Sequence, residues 1–389
     1  MEAVYDLLVI GAGPAGGSCA EKAAELGLKV LVLEEDSRVG EPLHCGECIS
    51  KVAMDKLGDI PEEVIAEHAT GVRVIFPGPR SNLCDEPGAV LHKEKFEQWI
   101  IKKAKANGAE VLLGQPFESA ERKGKFWKVK SKEKVFKAKI IVDASGVKSV
   151  LSQKLGLNKR ADSVVGIQHL MECNEFDGYL DFYVWPKFAP HGYLWMISKG
   201  KGLANVGLVT TESNKAKEYL EKFLIEKGWQ NNKILKTFGG LIPASGPVEN
   251  TVGEGWIIIG DAAGFTSPLF EGGTHLGIQS GLYAAEVVKK AIEQNNASKE
   301  VLSEYDSLWK KEFPDYKMLV GGKDAIYSLT DEQLKDVSEL MPNQLGFLSS
   351  TDKLKVLYRM FFVKPHLSKK KLFKVFNAFK YSRAKNYGW

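Results

Sequence analysis

The chain has 389 residues, 44% of them hydrophobic and 26% charged, which excludes disordered and collagen-like classes and suggests two or three packed units. No apolar run approaches the ~18–20 residues that a membrane-spanning helix needs. Net charge is +4, but the segment from Lys353 onward holds 11 Lys/Arg and no Asp or Glu, against 42 basic and 49 acidic groups in the other 352 residues. An acidic body with a basic tail suggests an anionic partner for the tail. The five cysteines (Cys19, Cys45, Cys48, Cys84, Cys173) are too sparse for a disulfide scaffold, and a reducing, cytoplasmic setting is expected. "MEAVYDLLVIGAGPAGG" lacks a basic start, so no signal peptide is expected.

"YDLLVI" (5–10) reads as a buried strand, residues 14–27 as a helix and "KVLVLEE" (29–35) as a second strand, together a βαβ opening. "KEKFEQWIIKKAKANG" (93–108) has helical spacing, and "EVLLG" and 126–146 read as strands. Residues 163–210 form a strand-rich block. A helix (about 214–227) and a strand near 234–242 follow, then "GWIIIGDAAG" (255–264), a strand running into a Gly-rich turn. A long helix is expected over about 274–293, with further helices beyond it. The spacing therefore predicts an α/β protein with a discontinuous Rossmann-like dinucleotide domain (1–160 plus 250–295). A strand-rich substrate domain (161–249), taken as an inserted antiparallel sheet, and a helical C-terminal region (296–389) complete it.

Gly11, Gly13 and Gly16 form G-x-G-x-x-G between the first strand and helix, with Ala15 inside the motif. The first glycine permits the tight turn and the second lets a pyrophosphate approach the backbone. The third allows close helix packing, and the helix N-terminus favours negative charge. Glu34 follows Gly13 by 21 residues, placed to bind a ribose 2′-hydroxyl and favouring FAD or NAD over NADP. "GWIIIGDAAGFTSPLFEGGTHLGIQSG" (255–281) selects FAD, because the ribityl chain and flavin need a second set of contacts. Asp261 can bind ribityl hydroxyls. Backbone N–H groups around Gly272, Gly273 and Thr274 can stabilise negative charge on a reduced flavin.

The opening fingerprint and "GDAAG…P…EGG" resemble the flavoprotein superfamily of aromatic hydroxylases, tryptophan halogenases and geranylgeranyl reductases. "EPLHCGECISK" (41–51) resembles the Cys-Gly-Glu/Asp segment of the geranylgeranyl reductases, and "PHGYLWMISKG" (190–200) their Pro-x-x-Tyr-x-Trp element. The nearest resemblance is to the archaeal digeranylgeranylglycerophospholipid reductases, and it covers most of residues 1–295. It implies an FAD-dependent reductase that saturates prenylated membrane lipid, with Cys45 and Gly46 near the flavin and Tyr193 and Trp195 along an apolar substrate channel. The family commonly has glycine where Cys48 stands and Phe-Pro where Ile197-Ser198 stand. It has a cofactor-side arginine where Lys93 stands, which keeps the charge without the bidentate fork.

Cys45 and Cys48, three apart, leave several readings open: a flavin-facing Cys45, a working disulfide, or a structural role. No second C-x-x-C accompanies them, so no metal site is expected. Hydride transfer joined to protonation of the neighbouring carbon is the chemistry the resemblance implies. Cys45, or a water it positions, would assist with the proton, and Tyr193 and Trp195 could stabilise developing positive charge. No second dinucleotide fingerprint exists, so the electron donor is left among NAD(P)H, a ferredoxin and another small reductant.

In the tail, Leu372, Val375, Phe376 and Phe379 recur at helical spacing, with Lys369, Lys370, Lys371 and Lys374 mostly on other faces. This pattern fits either a helix lying on an inner membrane surface or an apolar face packed on the body. One basic tail offers no groove-reading module, so no nucleic-acid partner is expected. Two rival functions share the flavin: a monooxygenase or halogenase, and a membrane-associated flavin carrier without turnover.

Overall fold

The computed structural model describes residues 3–43, 45–344, 354–356, 358–364 and 369–387. Three sheets organise the described residues. The eight-stranded sheet has parallel strands at its centre: Val30–Leu33 and Lys134–Asp143 flank Val4–Ile10, with Glu110–Leu112 and Trp256–Ile258 outside them. These strands are near-continuous apolar runs because helices cover the sheet, and Leu7, Leu8, Val9, Ile141 and Ile257 have no exposed surface. Ser119–Lys123 and Phe126–Ser131 extend it as an antiparallel ribbon.

The helix Pro14–Glu25 returns from the first strand and packs along the long helix Thr274–Glu293. Two glycines permit that closeness. A Cβ on Gly16 would lie 2.0 Å from the Gly11 carbonyl oxygen, and one on Gly281 would lie 2.4 Å from that of Ala15. Gly16 is therefore a packing glycine in the wall behind the turn.

The seven-stranded sheet runs Ile234–Pro243, Ser163–Glu172, Leu203–Thr210, Tyr193–Gly200, Tyr179–Tyr183, Gly71–Ile75 and Ser81–Cys84. All its pairs are antiparallel except Tyr179–Tyr183 with Gly71–Ile75. The expected insertion at 161–249 supplies five of these strands, and the sheet also takes two from upstream. A third, small sheet (Cys48–Ser50, Gly88–Leu91, Ile65–Ala69) sits where the sequence showed no strand pattern. Its strands are three to five residues long, too short to show a period.

The tail helix Lys369–Tyr381 turns its apolar face inward. Leu372 and Val375 are 1% exposed, and Phe376 and Phe379 pack against the helix Tyr316–Tyr327 and its neighbours. Phe379 meets Phe76 and Phe270 at ring distances of 6.1 and 5.8 Å. Of the two sequence readings, packing on the body is the one realised, and this face is not available to a lipid surface. Among the described residues no helix is long and apolar enough to cross a membrane.

Candidate functional site

Four parallel strands deliver their carboxyl ends to one place, where open α/β sheets bind ligands. Ile10 leads into Gly11, Leu33 into Glu34, Asp143 into Ala144, and Ile258 toward Gly260 and Asp261. A cavity of about 420 Å³ lies there, lined by Gly11, Gly13, Ala15, Glu34, Cys45, Gly46, Lys93, Asp261, Gly273 and Thr274 among the expected residues. Gly16, Gly272, Cys48, Tyr193 and Trp195 do not line it.

The lining fits a long dinucleotide. A Cβ added to Gly13 would meet nothing within 4 Å, so open space adjoins that backbone. The helices Pro14–Glu25 and Thr274–Glu293 both begin without a side-chain cap, leaving two sets of N–H groups for negative charge. Glu34 Oε2 accepts from Ala12 N at 2.7 Å and Oε1 from Asp36 N at 2.9 Å, which fixes the carboxyl at the strand end. Burial pushes its pKa up, against those two N–H donors. Asp261 Oδ1 accepts from Thr266 Oγ1 at 3.1 Å, and burial also raises this carboxyl. A Cβ on Gly273 would lie 3.1 Å from Asp261 Oδ1 and 3.3 Å from Thr266 Oγ1, close enough to press on that pair.

The Cys45–Cys48 loop is held by a buried ion cluster. Glu47 is 1% exposed and adopts φ +73°, a left-handed backbone that costs a non-glycine residue about 1–2 kcal/mol. Its carboxylate receives Lys199 Nζ at 2.9 Å, Asn205 Nδ2 at 2.6 Å and Lys93 N at 3.2 Å. Glu47 N in turn donates to Cys45 Sγ at 3.2 Å. Lys93 Nζ pairs with Glu97 at 2.6 Å; burial presses its pKa down, but that carboxylate outweighs burial and holds it above the ordinary value. Burial pushes the Cys45 thiol up, with the Lys93 ammonium opposing, and Cys48 is driven well above the ordinary thiol range by burial and the neighbouring Cys45. Both cysteines are free thiols.

Tyr193 and Trp195 are core residues, 4% and 6% exposed. Tyr193 donates its hydroxyl to the Phe270 carbonyl at 2.8 Å, and its ring meets Phe270 and Phe182. Trp195 reaches the site indirectly: its Nε1 donates to Gln168 Oε1 at 2.9 Å, and Gln168 Nε2 donates to the Cys45 carbonyl at 2.7 Å. Gln168 and Glu47 were not legible as site residues, because nothing local marks a residue that acts through the fold. Glu271 was quoted within "EGG" without a role, yet it is among the residues that line the cavity.

Comparison with known proteins agrees with this geometry. Residues 162–242 match the family described as geranylgeranyl reductase catalytic domain, and residues 6–154 match FAD dependent oxidoreductase. The digeranylgeranylglycerophospholipid reductase of Methanocaldococcus jannaschii is 32% identical, over 94% of this chain and 97% of its own. That of Methanosarcina acetivorans is 33% identical, over 87% and 89%. A geranylgeranyl bacteriochlorophyll reductase-like protein from Thermoplasma acidophilum superposes with a TM-score of 0.85 at 28% identity, covering 96% of this chain and 100% of its own. A mutant of the halogenase PltM in complex with FAD, at 19% identity and a TM-score of 0.70 over 86% and 79%, shares the fold.

Proposed function

Because the chain belongs to the digeranylgeranylglycerophospholipid reductase family, we propose that it is an FAD-dependent reductase saturating C=C bonds of geranylgeranyl chains on archaeal glycerophospholipids. The observation that carries this reading is likeness to such a reductase over nearly the full length of both chains.

FAD, once reduced, supplies a hydride. The chain's own groups do the rest. Glu34 holds the adenosine ribose, and the open N-terminus of Pro14–Glu25 receives the pyrophosphate. Asp261 binds the ribityl chain, and the N–H groups at Gly273 and Thr274 balance negative charge on the ring. Cys45 stands in the cavity wall as a neutral thiol, with Gln168 and Glu47 fixing its loop. Trp195 acts as a positioning residue through Gln168.

Contact with the inner membrane surface is proposed through a segment other than the tail helix. Leu354, Tyr358, Phe362 and Val363 are 54–73% exposed beside Lys355 and Arg359, an apolar and basic mixture suited to anionic headgroups. Flotation with anionic liposomes tests this, with Phe362→Asp expected to weaken it.

Anaerobic reoxidation tests the function. With the protein bleached by a chemical reductant, a geranylgeranyl ether lipid should restore oxidised-flavin absorbance and its fully saturated counterpart should not. Cys45→Ala should keep FAD and slow that recovery; recovery at the wild-type rate would remove Cys45 from the chemistry.

A further inference from the structure

The carboxyl of Glu271 stands apart from the other acids in the cavity. Glu271 precedes the turn Gly272–Gly273 and lines the cavity together with Cys45, Asp261 and Thr266. Its backbone holds φ +47°, a left-handed conformation that a glutamate adopts only when its surroundings impose it. Its Oε2 is buried and has no hydrogen-bond partner. A carboxylate carrying full charge on such an oxygen is costly, whereas a protonated carboxyl is not.

Burial favours the protonated form, while Lys323 and Tyr193 pull toward the carboxylate. Tyr193 neighbours this carboxyl, but its own proton is given to the Phe270 carbonyl at 2.8 Å, so toward Glu271 the phenol oxygen is left as an acceptor. The other groups facing Glu271 are Tyr327 and Lys323, whose ammonium is occupied by the Ala244 carbonyl at 2.8 Å.

We propose that Glu271 is a proton donor of the site, delivering the proton that completes alkene saturation, an inference that rests on the reductase reading above. The alkene takes a hydride at one carbon from the reduced flavin and a proton at the other from the Glu271 carboxyl. The C=C π bond, the carboxylic O–H bond and the N–H bond of the reduced flavin that gives the hydride break, and two C–H bonds form. The two electrons come from the reduced flavin, and the carboxylate left behind regains its proton from water.

The alternatives in the cavity serve less well. Burial pushes Glu271 up to about 8, partly offset by Lys323 and Tyr193, which leaves it protonated at neutral pH yet acidic enough to give the proton up. Burial carries the Cys45 thiol above its ordinary value of about 9 and Tyr193 well above 10, so both release a proton less readily. Cys45 is then better suited to shaping the pocket or positioning the alkene.

The experiment compares wild type with Glu271→Gln, which keeps shape and removes the acid, and Glu271→Asp, which keeps the acid and shortens it. All three are checked for bound FAD. Infrared difference spectra of the substrate-free holoenzyme, taken on either side of about pH 8, should show a protonated carboxyl band that Glu271→Gln lacks. Single-turnover reduction by the prereduced protein should fall about 100-fold or more in Glu271→Gln, within the span usual for general acids, and recover partly in Glu271→Asp. The wild-type rate should decline as pH rises through about 8, and that decline should vanish in Glu271→Gln. A wild-type spectrum with no such band, or a Glu271→Gln variant with wild-type rate and pH profile, overturns the proposal. Wild type that leaves the lipid unreduced while the band is present counts against the reductase reading instead.

Discussion

Glu34 sets the first prediction at the scale of single residues. Its two oxygens hold the N–H groups of Ala12 and Asp36 and present the carboxyl to the cavity. Glu34→Ala removes a charged hydrogen-bond acceptor worth about 1.5–3 kcal/mol, so FAD affinity should weaken about ten- to hundred-fold, read as flavin released on dilution. Unchanged retention would place the ribose elsewhere. At this scale the sequence was most informative where residue type follows directly from ligand chemistry: Gly11, Gly13, Glu34, Asp261 and Gly273 all line the cavity. It was least informative for side chains that work through others. Gln168 and Glu47 reach Cys45 only because strands and loops distant in sequence meet. Tyr193 and Trp195 followed from resemblance, and their contacts are those of a packed sheet that meets the cavity wall through Phe270 and Gln168.

The two helices that open on the cavity carry predictions at the scale of elements. Gly281→Ala drives a Cβ to 2.4 Å from the Ala15 carbonyl oxygen and 3.0 Å from Cys19 N, so the helices must part. Overpacking of this kind costs about 1–3 kcal/mol; the thermal midpoint should drop and FAD retention should weaken with it. His275, in the first turn of Thr274–Glu293, is 3% exposed with neither ring nitrogen bonded, its ring 4.4 Å from that of Tyr387. Burial, helped by Lys56, lowers its pKa to about 3. The unfolded chain binds this proton below about pH 6.5, while the folded chain refuses it until about pH 3. Stability is therefore intact above the upper value and declines as pH falls between the two. His275→Phe should move acid unfolding to lower pH; an unmoved midpoint would assign acid lability to another group. Long elements with a strong period, such as the helix Thr274–Glu293, were legible from spacing. The short strands Cys48–Ser50 and Gly88–Leu91 were not, because long-range pairing rather than local pattern creates them.

At the scale of the whole molecule, the basic tail is part of the fold. Its helix buries Leu372, Val375 and Ala378 against the helix Tyr316–Tyr327, and a Cβ on Gly322 would lie 2.1 Å from that of Ala378. Leu372→Ala should cost about 2–5 kcal/mol, and the loss should appear as faster proteolysis beyond residue 353 with FAD still bound. Loss of FAD before cleavage would mean that the tail and the dinucleotide sheet unfold together. Charge and periodicity described this helix correctly but could not say which surface its apolar face meets. Similarly, the seven-stranded sheet recruits Gly71–Ile75 and Ser81–Cys84 from a segment whose pattern gave no sign of that partnership.

The central claim is that the cavity joins a flavin to a prenyl chain for reduction. Mass analysis of a single anaerobic turnover tests it most directly, with protein carrying reduced FAD mixed with geranylgeranyl ether lipid. A gain of two hydrogens for each double bond reduced is expected, with one electron pair drawn from the flavin per bond. Lipid of unchanged mass, from protein that in air adds oxygen or halide to an aromatic compound, would contradict it.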